Sequence, residues 1–467
     1  MADNNKGKFN SNFGFLMACL GSAVGIGNLW GFPYKCGVGG GFAFLLVYLI
    51  LCVTVGYPIM LTEISIGRKT QKAAIEAHAA IGPQFKFNGV LATIVPFFLL
   101  SFYCTFGGYI THYLIASIQG LFDAGAPINT ADSTEYFVQN LLSNGGTACI
   151  YLAVFLALTI IIVLGGVSGG IEKFCKYAMP ALFVMLLVIV VKSISMPGSA
   201  AGLSFLFKPD FSVMSTPKGL FETFKLAGSQ MFFSLSISSG CIIAYGSYLN
   251  KKENLEKNSL FIVLGDTAVA ILAGLAIMPA CAATGLEFGA GPSLLFVSMT
   301  SVFQSMGYAG RIFQFLFWLL VFFAALTSSI GMMEGGISAI MDGRIKKGKP
   351  ANRFAITLMM GGIGLVGNLL TTLDCLGEAT TVKWLHILGQ SCVADLWDAV
   401  SEGILMPLSG FFLAIIIGWL RPDFIDDEVE GSSGFKSKKF FKFCIKYIGP
   451  LFMVMIIYGQ LTTFFIK

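Results

Sequence analysis

Charge is what this chain has least of. Asp, Glu, Lys and Arg make up 12% of its 467 residues, where soluble globular domains carry about 25%. With 55% hydrophobic residues and a mean hydropathy of +0.79, an ordinary water-soluble globule is excluded and a polytopic membrane protein is indicated. Histidine is rarer still, at three residues, and the eleven cysteines include no CxxC pair. Cys19, Cys52, Cys104 and Cys241 lie inside apolar segments, so they read as small buried side chains and not as a disulfide framework or metal site. The net charge of +5 is dispersed between apolar runs and gives no support to a nucleic-acid partner; no organic cofactor is expected. No small-residue cleavage site follows the first apolar run, so that run is expected to remain as a helix.

What is present is a succession of apolar runs, each long enough to cross a bilayer at about 20 residues. They predict eleven spans near 13-35, 42-66, 89-120, 147-165, 172-194, 221-249, 258-284, 311-341, 353-373, 392-420 and 441-465, with a short amphipathic segment at Ser293 to Met306. Basic clusters fall at Arg68-Lys69-Lys72, Lys173-Lys176, Lys251-Lys252-Lys257, Arg344 to Arg353 and Lys436 to Lys442, all on one side of the predicted topology. The positive-inside rule then puts the N-terminal segment 1-12 in the cytoplasm and Lys467 outside.

Two of these spans are interrupted. The stretch Leu20-Gly21-Ser22-Ala23-Val24-Gly25-Ile26-Gly27-Asn28-Leu29-Trp30-Gly31-Phe32-Pro33-Tyr34 places helix breakers at bilayer depth, each glycine costing roughly 1 kcal/mol against alanine. Freed N–H and C=O groups are tolerated there only when buried in protein or lining a polar cavity. The sixth run carries a second break, Phe232-Phe233-Ser234-Leu235-Ser236-Ile237-Ser238-Ser239-Gly240. Breaks in the first and sixth helices predict inverted five-helix repeats, 13-194 and 221-420, with a ligand site between them and an eleventh helix, 441-467, outside the repeat.

Residues with ligand chemistry cluster around these breaks. Ala324, Thr327 and Ser328 are spaced i, i+3, i+4 and share a helix face, offering the neutral oxygens that hard cations prefer. Asp266, within Leu264-Gly265-Asp266-Thr267-Ala268-Val269, is an ionisable group at bilayer depth. It costs about 2.5 to 3.5 kcal/mol on insertion scales unless it faces a partner or cavity.

The motif Gly-Ser-Ala-Val-Gly-Ile-Gly-Asn-Leu-Trp, then Phe-Pro-Tyr and Gly39-Gly40-Gly41, resembles the first transmembrane helix of the neurotransmitter:sodium symporter family. The resemblance implies an all-α transporter with two sodium sites. One would use the carbonyls of Gly21, Val24 and Ala324 with the hydroxyls of Thr327 and Ser328. The other would use the Ala23 carbonyl, Asn28, Ser234, Asp266 and the substrate carboxylate. Tyr48, Gln230 and Ser234 match residues beside the chloride of chloride-dependent members, but the position one turn beyond Asp266 is Ala270. A fixed charge on Asp266 and chloride independence are therefore expected.

For the substrate, the resemblance implies a carboxylate cradle at the Ile26 and Gly27 N–H groups with the Tyr103 hydroxyl. The amino group would meet carbonyls of Ala23, Phe233 and Ser236. Selectivity would come from Leu99, Phe233, Ser238, Ser239, Ser328 and Met332. Ser238 and Ser239 depart from the glycine and larger apolar residue usual there, which makes the pocket more polar. The outer gate also departs: Gly31 stands where the family has arginine. Lys35, at i+4 from it, is expected to pair with Asp398 as a looser gate. Inside, Lys6, Asp342 and Tyr248 match the cytoplasmic gate, while Phe9 and Asn12 replace the usual tryptophan and arginine. Gly170 to Pro180 fits a fifth helix able to unwind at its cytoplasmic end.

The expected function is sodium-coupled import of an amino acid or small amine across a bacterial inner membrane. The rivals are a proton-coupled carrier of the same fold and a non-transporting sensor. An intramembrane aspartyl protease would need a GxGD motif, which Val263 breaks. Substrate identity, stoichiometry and oligomeric state are not readable from the residues.

Overall fold

Apolar sequence that must satisfy its backbone without water folds as helix, and among the described residues there is no strand. The computed structural model describes residues 7–286, 288, 294–379 and 382–465. Among the described residues, nine apolar helices are continuous and long enough to cross a membrane: Phe42–Thr70, Pro83–Phe122, Gly145–Leu164, Val167–Ile194, Leu255–Thr284, Gly307–Lys346, Arg353–Gly377, Val393–Leu420 and Lys438–Thr462. A tenth crossing is the pair Asn12–Ala23 and Gly27–Val38, bent by 49°. The interrupted pair Pro217–Ser234 and Cys241–Ser247 supplies the sixth helix of the predicted order, completing eleven. Lys6 lies outside the described residues, as does Ser293, and the amphipathic segment is described from Leu294 as a helix to Ser305.

Local capping explains several helix starts. Side chains of Ser11, Thr216, Asn254 and Asn352 accept hydrogen bonds from N–H groups in the first turns of their helices. Such caps satisfy donors that the helix leaves free. The first helix ends because Val24 adopts an extended conformation, φ −72 and ψ 104. The sixth ends in a strained turn: Ser236 and Ser238 have φ of 51° and 62°, and Gly240 has 74°. A non-glycine residue in this region costs roughly 1–2 kcal/mol, so surrounding bonds must hold it. The Glu63 carboxylate accepts from the Ser238 N–H at 3.0 Å, and the Ser236 hydroxyl donates to the Ser22 carbonyl at 2.8 Å. The two breaks thus brace each other.

Three short helices were not legible as spans or loops: Ala74–Ile81, Ala200–Phe207 and Asp426–Ser433. The last is an acidic strap across the face that carries the N-terminus. Arg68, 1% exposed, donates through Nε to Glu428 Oε1 at 2.7 Å, through Nη2 to the Glu428 carbonyl at 2.7 Å and through Nη1 to the Glu253 carbonyl at 2.5 Å. Lys69 pairs with Asp427 at 2.5 Å, but the Asp427 side chain is 69% exposed. Removing one partner of a buried ion pair costs about 3–5 kcal/mol, whereas an exposed pair contributes roughly 0–1 kcal/mol. Arg68→Ala is therefore expected to lower the melting temperature of the purified protein clearly, and Lys69→Ala hardly at all. Equal shifts in a thermal melt would show that the strap is not anchored at Arg68.

Candidate functional site

The two breaks meet around a cavity of about 10 Å³, room for about one water. Of the residues expected to bind substrate, Ala23, Gly27, Tyr103, Phe233, Ser236, Ser328 and Met332 line it, joined by Ser22 and Gly25. The walls approach so closely that glycine is required at two positions. A Cβ on Gly25 would stand 2.4 Å from Ser328 Oγ and 2.7 Å from the Tyr103 hydroxyl; one on Gly27 would stand 2.5 Å from the Phe233 ring. The Ile26 N–H donates to the Tyr103 hydroxyl at 3.2 Å, so the tyrosine is held at the first break. Leu99, Ser238 and Ser239 do not line the cavity. Leu99 packs in the core. Ser239 Oγ donates back to the Ser236 carbonyl at 2.6 Å, and Ser238 Oγ points at the helix carrying Gly410, whose added Cβ it would meet at 2.8 Å.

On one side of the cavity, the first and eighth helices bring neutral oxygens together. Ser328 Oγ donates to the Gly21 and Val24 carbonyls at 3.2 and 3.3 Å. Thr327 Oγ1 donates along its own helix to the Phe323 and Ala324 carbonyls at 2.9 and 3.1 Å. Five residues thus supply hydroxyl and carbonyl oxygens in one place, a donor set that fits a hard monovalent or divalent cation.

On the other side is a carboxylate, Asp266. Asp266 is fully buried. Its Oδ1 accepts from Asn28 Nδ2 at 2.8 Å and its Oδ2 from Ser234 Oγ at 2.6 Å. Asn28 Oδ1 in turn accepts from the Gly25 N–H at 3.0 Å, and the Tyr48 hydroxyl donates to Ser234 Oγ at 3.4 Å. Among the described residues, no lysine, arginine or histidine forms an ion pair with Asp266. The Asp266 carboxylate, the Asn28 amide oxygen and the Ser234 hydroxyl together offer the oxygen ligands that hard cations prefer.

The gate on the side away from the N-terminus differs from expectation. Lys35 Nζ pairs with Glu402 Oε2 at 3.0 Å, the two side chains being 14% and 4% exposed; its partner is Glu402 and not Asp398. Asp398 lies beside the pair in the wall of a vestibule of about 450 Å³, together with Trp30, Phe102, Phe233 and Asp395. Asp398 and Glu402 are i and i+4 on one helix and share a face, with Glu402 at the start of a π-turn over Ser401–Leu405. Lys35 also stands 5.9 Å from the Phe233 ring centroid, above the central cavity. Gly31 leaves Gln230 close by: an added Cβ would meet Gln230 Oε1 at 3.1 Å, while Gln230 Nε2 donates to the Gly27 carbonyl at 2.8 Å.

At the N-terminal side, Phe9 packs edge-on against Tyr245 and Tyr248. The Tyr248 hydroxyl bonds Glu334 at 2.7 Å and Ser338 at 2.6 Å, and Arg353 pairs with the same Glu334 at 2.5 Å. Asp342 accepts from the Ala73 N–H at 2.7 Å. Glu172, at the start of the fifth helix, accepts from the Asn10 N–H at 2.7 Å and from Ser11 Oγ at 3.0 Å, fastening the N-terminal segment. Glu63, Glu172, Glu334 and Glu402 were missed by sequence reasoning. The signal existed, since Glu63, Glu334 and Glu402 are carboxylates within apolar runs and merited the treatment given to Asp266.

Comparison with known proteins agrees with this geometry. The model of the sodium:neurotransmitter symporter family matches residues 6–140 and 128–466. A sodium-dependent transporter of Haemophilus influenzae is 33% identical over 474 residues, covering 99% of this chain and 100% of the relative. The sodium-dependent transporter YhdH of Bacillus subtilis is 31% identical, covering 98% of each. Among solved structures, MhsT in complex with L-phenylalanine superposes with a TM-score of 0.86 at 33% identity, covering 97% of this chain and 100% of that one. The fold is therefore the inverted five-helix repeat with broken first and sixth helices, and the protein is a transporter, not an enzyme. This chain belongs to the sodium:neurotransmitter symporter family, and it is a sodium-dependent membrane transporter.

Proposed function

We propose that the protein imports an amino acid or related small amine together with sodium, by alternating access, and without chloride. Two sodium ions are carried: one on the Gly21, Val24, Ala324, Thr327 and Ser328 oxygens, the other on Ala23, Asn28, Ser234 and Asp266. The substrate carboxylate takes the N–H groups of Ile26 and Gly27 and the Tyr103 hydroxyl. The N-terminus is cytoplasmic, the membrane is the plasma membrane, and residues 13-194 and 221-420 act as the two repeats. Lys35 with Glu402 and Asp398 forms the outer gate; Tyr248 and Asp342, with Lys6, form the inner one.

The observation that carries this reading is the pairing at a single cavity of two helix breaks with two unlike oxygen clusters. One cluster is neutral, the other holds a buried carboxylate. A fixed negative charge at Asp266 supports chloride independence, because a mobile anion is needed only where no resident charge balances the cation. That MhsT binds L-phenylalanine supports an amino-acid substrate.

The test is uptake of a panel of labelled amino acids into proteoliposomes, under an inward sodium gradient and with potassium or a proton gradient in its place. Uptake of one or a few substrates under sodium alone, equal in chloride and gluconate, is the expected result. Uptake driven as well by protons would overturn the ion assignment; sodium-dependent binding without uptake would make the protein a sensor. Within the same assay Ser328→Ala removes the hydroxyl that bridges the Gly21 and Val24 carbonyls. A lost hydrogen bond of this kind costs about 1–3 kcal/mol, so apparent sodium affinity should fall roughly ten- to a hundredfold. An unchanged sodium dependence would remove Ser328 from the site.

A further inference from the structure

A second cavity lies away from the substrate site. About 540 Å³ opens between the fourth, fifth and eighth helices, Gly145–Leu164, Val167–Ile194 and Gly307–Lys346, within the roughly 300–1,000 Å³ typical of small-molecule sites. Its walls are Ile161, Ile162, Phe174, Ala178, Ala181 and Phe323, with Lys173 the one charged residue among its lining. The groove faces the bilayer: Ile161 is 64% exposed and Tyr177, on its rim, is 75% exposed. It lies at the membrane side that carries the N-terminus, because Gly7 packs against Val167 at the start of the fifth helix.

Two features give the groove chemical direction. Lys173 is exposed and makes no ion pair among the described residues, whereas Lys176, one turn further, pairs with Glu172 at 2.8 Å. The cation at the mouth is therefore available to an outside anion. The glycines at the groove also divide into two kinds. A Cβ on Gly170 would strike the Ile162 carbonyl at 2.0 Å and one on Gly165 the Gly170 backbone at 2.9 Å, so these two are needed for the close turn between helices. A Cβ on Gly169 would meet nothing within 4 Å, so the space above it is open groove.

We propose that this groove is a binding site for an anionic glycerophospholipid, with one acyl chain along the apolar walls and the phosphate on Lys173. Apolar walls beside an unpaired cation select an amphiphile whose head is negative, and basic positions near the membrane surface attract such lipids. The seat has a structural neighbour of consequence. Phe323, in its wall, stacks edge-on with Phe174 at 6.1 Å and gives its carbonyl to Thr327. A chain lying there buttresses the first turns of the fifth helix against the eighth. The inference rests on the membrane fold alone and stands whether or not the transport reading does.

The test uses the full chain in nanodiscs made from an equimolar mixture of phosphatidylethanolamine and phosphatidylglycerol, with lipids retained after delipidation counted by native mass spectrometry. Phosphatidylglycerol is expected to be enriched about fivefold in the retained fraction, the increment for one basic residue at the surface. Lys173→Gln should abolish the enrichment and Lys173→Arg should keep it. Gly169→Leu starts its side chain in open space, its Cβ meeting nothing within 4 Å, so it should remove one retained lipid of either kind while leaving the melting temperature of the delipidated protein intact. Equal retention of the two lipids by the wild type, enrichment that survives Lys173→Gln, or a lipid count unchanged in Gly169→Leu would each overturn the proposal.

Discussion

Asp266→Ala is expected to abolish sodium-driven uptake while leaving the protein folded. The carboxylate is the one group in the second cluster with a full charge, and two unit charges about 4 Å apart interact by about 4 kcal/mol at an effective dielectric of 20. Losing it should weaken sodium binding on the order of a thousandfold, well beyond the effect of deleting a hydroxyl. The variant also takes from the Ser234 hydroxyl its acceptor and from the Asn28 amide one of its three, a further loss of about 1–3 kcal/mol in stability. Asp266→Asn separates the two effects, because it keeps the shape and an acceptor oxygen but not the charge. Sodium titrations of binding, with a thermal melt of each variant, are the measurement. If Asp266→Asn binds sodium as tightly as the wild type, the charge is not the ligand and the case for chloride independence falls with it.

The outer gate gives the second large effect. Lys35 and Glu402 are both nearly removed from water, and deleting one leaves the other as an uncompensated charge, at about 3–5 kcal/mol. Lys35→Ala and Glu402→Gln should each shift the transporter toward the outward-open form and raise the KM for substrate, since Lys35 sits over the Phe233 ring. Asp398→Asn should do much less. The exchange Lys35→Glu with Glu402→Lys should restore a good part of the loss. Uptake kinetics with accessibility labelling of a vestibule cysteine would decide it. A double exchange no better than either single variant, or an Asp398→Asn effect as large as Glu402→Gln, would return the gate to Asp398.

The difference between Asp398 and Glu402 also explains where sequence reasoning stops. The breaks at Ser22 to Gly27 and at Leu235 to Gly240 were legible because clustered glycine, serine and proline free backbone groups at bilayer depth, where these must be buried in protein or line a cavity. The Thr327 and Ser328 face was legible because an undistorted helix keeps the i, i+3, i+4 spacing. Asp398 seemed the partner of Lys35 by the same arithmetic, carried over from a family pattern. Asp398 and Glu402 are one helical turn apart and share a face, so spacing alone does not choose which of the two carboxylates meets Lys35. Ser238 and Ser239 misled for a related reason. Ser238, at positive φ, turns its hydroxyl toward Gly410, and Ser239 folds its hydroxyl back onto the Ser236 carbonyl, directions that a list of residue types cannot supply. The strap at Asp426–Ser433 was hidden by its composition, because an acidic, glycine- and serine-containing segment reads as loop until Arg68 is known to lie beneath it.

The central cavity holds about 10 Å³, with the Lys35–Glu402 pair on one side of the protein and the Phe9 ring packed against Tyr245 on the other. A file of waters cannot run through so small a space, and neither can a hydrated ion. In a membrane that stores its energy as a voltage, such a closure makes the resting protein electrically silent. Current should pass only as a stoichiometric companion of substrate, and vesicles carrying this protein should hold an imposed potential as long as vesicles without it.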